Sequence, residues 1–359
     1  MMRMRRIMAF VTVLCVIALL LSGEALAGDK IATSGGWIKD FKELERQLQY
    51  YADECVEKFS LEFYDTVVMK INNDPKCFVE TIEQNGIFNF GFEEKASGSR
   101  HRIEFVMEYY PGKKCAYAYA SGNTDILSED EKQLLDNALE IVSTIDGSGE
   151  DAIKQIHDHI CDNVSYRHGE HDDIFWHSAL GALLEGEAVC DGYADAFYLL
   201  CCLKGIEVTY VPGEALSANE RLNADPYDNY NHMWNAVKLD EKWYMIDVEF
   251  GDAEPGTTYV SYLLGTDMMD DSYSWSAVFP VKMSKEPYAR SENPLIEVTN
   301  WREAETEIMR AYRKRLDRVT LVGLDFEKGS LQLSRILASP ALTYVNVFPT
   351  RNCCEIVFK

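Results

Sequence analysis

Apolar positions first recur at intervals of three and four along residues 38–56, through Phe41, Leu44, Leu48, Tyr51, Ala52 and Cys55, the spacing of an amphipathic helix. Phe59 to Met69 has strand-type composition, and Asp74-Pro75 marks a break. A helix is expected at 76–84, followed by strands at Ile87–Phe92, Arg102–Tyr110 and Cys115–Tyr119, with Pro111-Gly112 as the turn between the last two. Ser128 and Glu131 form a capping-box pattern that opens a helix to about Ile145. Asp146-Gly147-Ser148-Gly149 is the first break with the composition of a linker.

Beyond it, residues 150–164 read as a helix with Ile153, Ile156, His157 and Ile160 on one side. Residues 190–204 read as another, stopped at Gly205, a residue suited to a helix C-terminus. Strands are expected at 206–212, 232–239 and 242–250. The tail reads helix 302–317, strand 318–324, a helix near 327–337, then strands 341–348 and 353–358. This α-β-α-β-β order also describes Trp37 to Tyr110, a likeness that common α/β patterning explains better than duplication, since residue identity is slight. The expected class is α+β.

The N-terminus changes the picture of where the chain works. Arg3, Arg5 and Arg6 precede an apolar run from Ile7 to Leu21 broken only by Thr12, and Ala25-Leu26-Ala27 ends it on small residues. That order is a signal peptide with cleavage expected after Ala27. The run falls short of the roughly 20 apolar residues a spanning helix needs, so no membrane span is expected in the mature chain. Cys15 lies inside the run without preceding small residues, which argues against lipid attachment.

With 47% apolar and 26% charged residues the 359-residue chain is globular in composition. Its 35 basic and 59 acidic residues leave a net charge of −24, which repels phosphate backbones and excludes a nucleic-acid partner. Removing the signal peptide and setting aside Cys190 leaves an even set of cysteines that an oxidising compartment could pair. Cys201-Cys202 and Cys353-Cys354 are vicinal, however, and small buried hydrophobes explain such thiols equally well. No cysteine or histidine spacing reads as a zinc site, and no metal or cofactor is expected.

Chemistry concentrates in three places. Glu187-Ala188-Val189-Cys190-Asp191-Gly192-Tyr193-Ala194 runs into the apolar helix, so Cys190 sits in its first turn. Unpaired N–H groups there carry partial positive charge and are expected to lower a thiol pKa. Asn231-His232-Met233-Trp234-Asn235 and Trp243-Tyr244-Met245-Ile246-Asp247 flank a hairpin turn at Leu239-Asp240-Glu241-Lys242. Pairing Leu239 with Lys242 puts Trp234 opposite Asp247 and His232 opposite Glu249, which brings His232 and Asp247 within diagonal reach on one face. A thiolate to attack a carbonyl, an imidazole to exchange the proton and a carboxylate to orient the imidazole make a nucleophilic acyl-transfer site.

These three blocks resemble those of the transglutaminase-like superfamily, in its bacterial, exported, protease-like branch. The resemblance spans about 150–280: Ile153–Tyr166 is similar to the helix leading into the core, Ile206–Gly213 to the strand after the cysteine helix, and Val260–Asp267 to the closing segment. It implies a papain-like core, a cysteine-bearing helix on an antiparallel sheet, with Cys190 as nucleophile, His232 as base and Asp247 as orienting group. Ala188 stands where many relatives have Gly, and Phe250 where they often have Trp. The implied organisation is a signal peptide over 1–27, an N-terminal α/β leader over 28–146, the catalytic core over 147–285 and a C-terminal α/β module over 286–359.

Other candidates weigh less. His157, His159 and Cys161 alternate on a helix and so face different ways, which reads as ordinary helix rather than a ligand set. His168, His171 and His177 lie in a polar loop before Cys190, and Trp176 there would either cover the site or pack. Tyr227–Tyr230 precede His232 and would either meet substrate or decorate the surface. The expected function is an exported cysteine enzyme acting through a thioester on amide or isopeptide bonds of protein or peptide substrates, at or outside the cell surface. Hydrolysis is favoured over lysine cross-linking; a catalytically silent binding module on the same scaffold is the alternative.

Overall fold

The structure, a computed structural model, describes residues 32–169, 173–215, 232–253, 256–269, 273–275, 281–290, 293, 295–340, 342, 345–349 and 352–358. The signal peptide, His171 and Tyr227–Tyr230 lie outside them. Contacts divide the chain into two compact units. Among the described residues, one runs to Tyr110 and the other comprises Pro111 onward.

In the first unit, β1 (Ala32–Ile38) leads to α1 (Phe41–Asp53), capped by Asp40, and β2 (Lys58–Tyr64). Next come α2 (Asp65–Asn73), α3 (Pro75–Gln84), β3 (Ile87–Ser97) and β4 (Arg100–Tyr109). The strand-type composition of 59–69 is overruled in its second half. Val67, Val68 and Ile71 form the buried stripe of α2, because burial of a helical face outweighs β-branched propensity. The sheet order is β1-β2-β4-β3, with β1 parallel to β2 and the other pairs antiparallel.

The second unit opens with a correction. Cys115–Tyr119 is not a strand, and Pro111-Gly112 is not a hairpin turn; together they belong to α4 (Pro111–Ser121). Proline fits the first helical turn, where its missing N–H costs nothing. Wound as a helix, the segment buries Cys115, Ala116 and Ala118 and leaves Tyr119 exposed. Then follow α5 (Glu129–Ser143), with the Ser128–Glu131 capping box formed, and α6 (Glu150–Asn163). A short parallel pair, β5 (Ser165–Tyr166) and β6 (Glu187–Ala188), brackets the loop before α7 (Cys190–Leu203).

Strands β7 (Val208–Ala215), β8 (His232–Leu239), β9 (Lys242–Ile246) and β10 (Tyr273–Trp275) form an antiparallel sheet in the order β10-β7-β8-β9. Leu239 pairs with Lys242 and Asn235 with Ile246, the register expected from the hairpin turn. Strand β9 is shorter than expected: after Ile246 the chain turns, and the Gly251 and Asp252 amides donate to the Asp247 and Val248 carbonyls. One core joins α4, α5, α6 and α7 to the sheet through Leu135, Ile156, Phe197, Leu200, Val237 and Ile246. A second cluster, with Val211, Trp234, Met245 and Leu264, includes Tyr273. Asp195 ties the parts together, accepting from the Gly112 and Ala179 amides at 2.9 and 2.8 Å and from the Tyr210 hydroxyl at 2.7 Å.

The rest of this unit is β11 (Leu295–Glu297), α8 (Trp301–Arg313), β12 (Arg318–Val322), α9 (Ser330–Leu337), β13 (Val345–Pro349) and β14 (Cys353–Phe358). Its sheet order is β11-β12-β14-β13, again a parallel first pair followed by antiparallel ones. The likeness between the two flanking regions is therefore one of topology as well as element order. Glu355, fully buried, links this sheet to the core by accepting from Asn293, Thr258 and Arg318. The cysteines from Cys55 to Cys354 are free thiols. No described helix is long and apolar enough to cross a membrane.

Candidate active site

The first turn of α7 has no side-chain cap: Val189 stands at the N-cap position in an extended conformation, and its carbonyl accepts from Gly192 and Tyr193. Cys190, half-buried, therefore sits beside uncapped helix N–H groups. Gly192 lets this turn press against the preceding loop. A Cβ there would lie 2.7 Å from the Ala188 methyl group and 2.9 Å from the Trp176 carbonyl oxygen. The side chain of Asp191, almost fully buried, meets His177 Nδ1 at 2.8 and 2.9 Å, which pins the loop to the helix start. Trp176 packs its ring against the Arg167 guanidinium at 3.8 Å and against Phe175, so it packs in the loop wall.

His232 opens β8, and Asp247 follows the last residue of β9. The imidazole Nε2 lies 2.7 Å from Asp247 Oδ2. Cys190 shares a side-chain hydrogen bond with His232, and with Nε2 occupied this falls to Nδ1. Cys190, His232 and Asp247 are thus brought into one line of contacts. Asp247 is held on every side: Tyr273 donates its hydroxyl to Oδ2 at 2.8 Å, the Phe250 amide donates to Oδ1 at 3.3 Å, and its own amide donates to Ser261. Phe250, at the position where relatives often have Trp, leans its ring over the imidazole at 5.1 Å, and Trp234 stacks on the imidazole at 5.7 Å.

The electrostatics separate two effects. Burial opposes charge on His232, but the Asp247 carboxylate and its hydrogen bond, with the Cys190 sulfur, outweigh it and hold the imidazole pKa well above its usual value. Burial pushes the Cys190 thiol up, Asp191 and Glu249 add to this, and the hydrogen bond from His232 pulls it down. The helix terminus does not lower this thiol below its usual range, contrary to the expectation from position alone. Desolvation of a half-buried sulfur beside carboxylates exceeds the partial charge of a helix end. Its reactivity must come from the imidazolium.

His232, Asp247 and Glu249 bring ligand-type atoms within 4.8 Å of one another. His232 Nε2 and Asp247 Oδ2 already satisfy each other, and the Tyr273 hydroxyl donates to Oδ2 as well, so these atoms are engaged with one another within the protein. His157 and Cys161 meet, with the sulfur 3.8 Å from His157 Nε2, but they form no three-residue ligand cluster with His159. His157 is fully buried, pairs with Asp158 at 3.0 Å and stacks on Tyr259, while Cys161 donates to the Val248 carbonyl. His168 meets the Tyr166 ring edge-on.

Sequence reasoning missed Tyr273, because a three-residue strand flanked by serine carries no periodicity, and only its pairing with β7 aims it at Asp247. It also left the His177–Asp191 pair unassigned, although an acid next to the nucleophile was a signal.

Comparison with known proteins agrees with the three blocks. Residues 138–248 carry a transglutaminase-like domain, matching the family model described as the transglutaminase-like superfamily. The kyphoscoliosis peptidase of Mus musculus is 32% identical over 69 residues, covering 19% of this chain and 10% of that protein. The chain thus matches only about a tenth of that relative's length. Among solved structures, a candidate cysteine protease from Cytophaga hutchinsonii aligns with a TM-score of 0.26 at 16% identity, covering 45% of this chain and 65% of that one. A candidate protease from Parabacteroides distasonis aligns at 0.32 and 10% identity, covering 84% and 65%.

Proposed function

We propose that this chain, with its transglutaminase-like domain, is an exported cysteine-dependent acyl-transfer enzyme that cleaves peptide amide or isopeptide bonds through a thioester. The observation that carries the reading is the sharing of one imidazole: Asp247 holds Nε2 at 2.7 Å while the other nitrogen faces Cys190. Burial of His232 and Asp247 keeps that orientation, and the carboxylate stabilises the imidazolium that acyl chemistry forms.

In the reaction, with the proton that Cys190 and His232 share on Nδ1, the Cys190 thiolate adds to the substrate carbonyl carbon. The tetrahedral adduct collapses, the C–N bond breaks, and the Nδ1 proton goes to the leaving amine. The acyl group is now a thioester on Cys190. Water, giving a proton to His232, adds to it and expels the thiolate, which releases the acid and restores the pair. The name peptidase borne by the curated relative favours water over an amine as acceptor. Export is supported by the charged start, apolar run and Ala25-Leu26-Ala27 of the sequence.

The test is turnover of a panel of peptide amides, with and without added lysine amine, by wild type, Cys190→Ala, His232→Ala and the double variant. Each single change should abolish turnover and the double should be no worse, because both disable one step. Mass spectrometry of quenched wild type should show an acyl adduct on Cys190. An active Cys190→Ala protein sinks the mechanism. A wild type that binds a peptide partner without turnover supports the silent binding module instead.

A further inference from the structure

The Nδ1 side of His232 has a second neighbour that the mechanism does not use. Glu249 Oε2 lies 3.4 Å from Nδ1, at ion-pair distance, and its side chain is only 18% exposed. The turn after β9 carries it there: the strand ends at Ile246, and the Gly251 and Asp252 amides close the turn on the Asp247 and Val248 carbonyls. Two negative or potentially negative atoms, the Cys190 sulfur and the Glu249 carboxylate, thus face one N–H.

We propose that Glu249 is a positioning residue that competes with the Cys190 sulfur for the Nδ1 proton of His232. The nucleophile–base pair is assembled when Glu249 is a neutral acid, and is drawn apart when it is a carboxylate. This rests on the reading of Cys190 and His232 as nucleophile and base.

The surroundings decide the charge of Glu249. Around it stand Tyr166 from β5, Cys190 and Tyr193 from α7, His232 from β8, Asp247 and Asp252 from its own turn, and Tyr273 from β10. Only His232 can be cationic. Burial raises the Glu249 pKa, the imidazolium opposes this, and Asp247 and Asp252 add to it, so that the group is pushed up to about 7. Below that pH the neutral acid leaves the imidazolium to the sulfur. Above it, the new carboxylate both binds the Nδ1 proton and repels a thiolate at Cys190. A like charge that raises a thiol pKa by about one unit lowers its thiolate fraction about tenfold.

The experiment is the rate of Cys190 alkylation by iodoacetamide, read by mass mapping between pH 5 and 9, in wild type and Glu249→Gln. This needs no substrate, so it is independent of whether the chain turns over amides. Between pH 6 and 8 the alkylation rate of Glu249→Gln should rise severalfold, up to about tenfold, more than that of wild type, because ionising Glu249 raises the wild-type thiol pKa over the same window. Glutamine carries no charge at either pH. Superimposable profiles overturn the proposal. If the variant does not fold, carbon-13 NMR of the Glu249 carboxyl in wild type decides: titration near 7 supports competition, and titration below 5 overturns it. Failure of turnover in wild type, with the profiles still differing as stated, would count against the enzyme reading alone.

Discussion

Replacing Asp247 separates what the carboxylate does for the fold from what it does for the chemistry. Three groups donate to its side chain: His232 Nε2 at 2.7 Å, the Tyr273 hydroxyl at 2.8 Å and the Phe250 amide at 3.3 Å. The residue is 1% exposed, so water does not replace it freely. Asp247→Ala leaves all three without an acceptor beside a buried imidazole. Breaking a buried, hydrogen-bonded charge pair by removing one partner costs about 3–5 kcal/mol, and that loss is expected in urea unfolding. Asp247→Asn is different. Its amide oxygen can still accept from His232, and the Tyr273 hydroxyl can turn to accept from the amide NH2. Stability should then fall by only about 1–2 kcal/mol. The amide carries no charge to stabilise the imidazolium, however, so turnover should fall on the order of 10⁴-fold. The assay pairs urea unfolding followed by circular dichroism with initial rates on the best peptide amide. A Asp247→Asn protein within threefold of wild-type rate would show that the carboxylate does not orient or charge His232. A stable Asp247→Ala protein would show that the buried network is not what holds the hairpin end.

Cys190 should be the first thiol alkylated by iodoacetamide at pH 6, and His232→Ala should slow it more than tenfold, since burial alone raises its pKa; faster labelling of the partly exposed Cys77 or Cys202 would contradict this. Asp195 has a pKa pushed up by burial to about 6 from 3.8, so the native state binds more protons than the unfolded state between those values. Wild-type stability should therefore fall by about 3 kcal/mol relative to Asp195→Asn as pH rises from 4 to 7, and a rise over that window in denaturant titrations would refute the sign. Gly192→Ala should destabilise by about 1–3 kcal/mol despite the better helix propensity of Ala, because its methyl group meets the Trp176 carbonyl; equal or higher thermal stability would exclude that close approach.

Much of the site was legible in the chain because it depends on short-range rules. The Leu239–Lys242 turn sets the hairpin register as far as Asn235 and Ile246, and the turn after Ile246 then brings Asp247 and Glu249 against His232. The capping box at Ser128 and the stop at Gly205 are likewise local and appear where the sequence places them. Segments whose local signals were ambiguous were decided elsewhere. Pro111–Ser121 is helical because its small residues pack against α7 and its amide at Gly112 reaches Asp195, a contact eighty-three residues away in sequence. The second half of 59–69 became α2 for the same kind of reason, burial of one stripe.

The chain by itself determined which residues the candidate site draws on and the order in which they occur, since residue identity and the hairpin turn are local properties. Only the tertiary structure decided their electrostatic state. Burial of Cys190 reversed the expected direction of its pKa, burial raised that of Glu249 against the pull of His232, and the pairing of β10 with β7 aimed Tyr273 at Asp247. Desolvation and charge proximity depend on what folds over a residue from distant parts of the chain, and no spacing along the sequence encodes that directly.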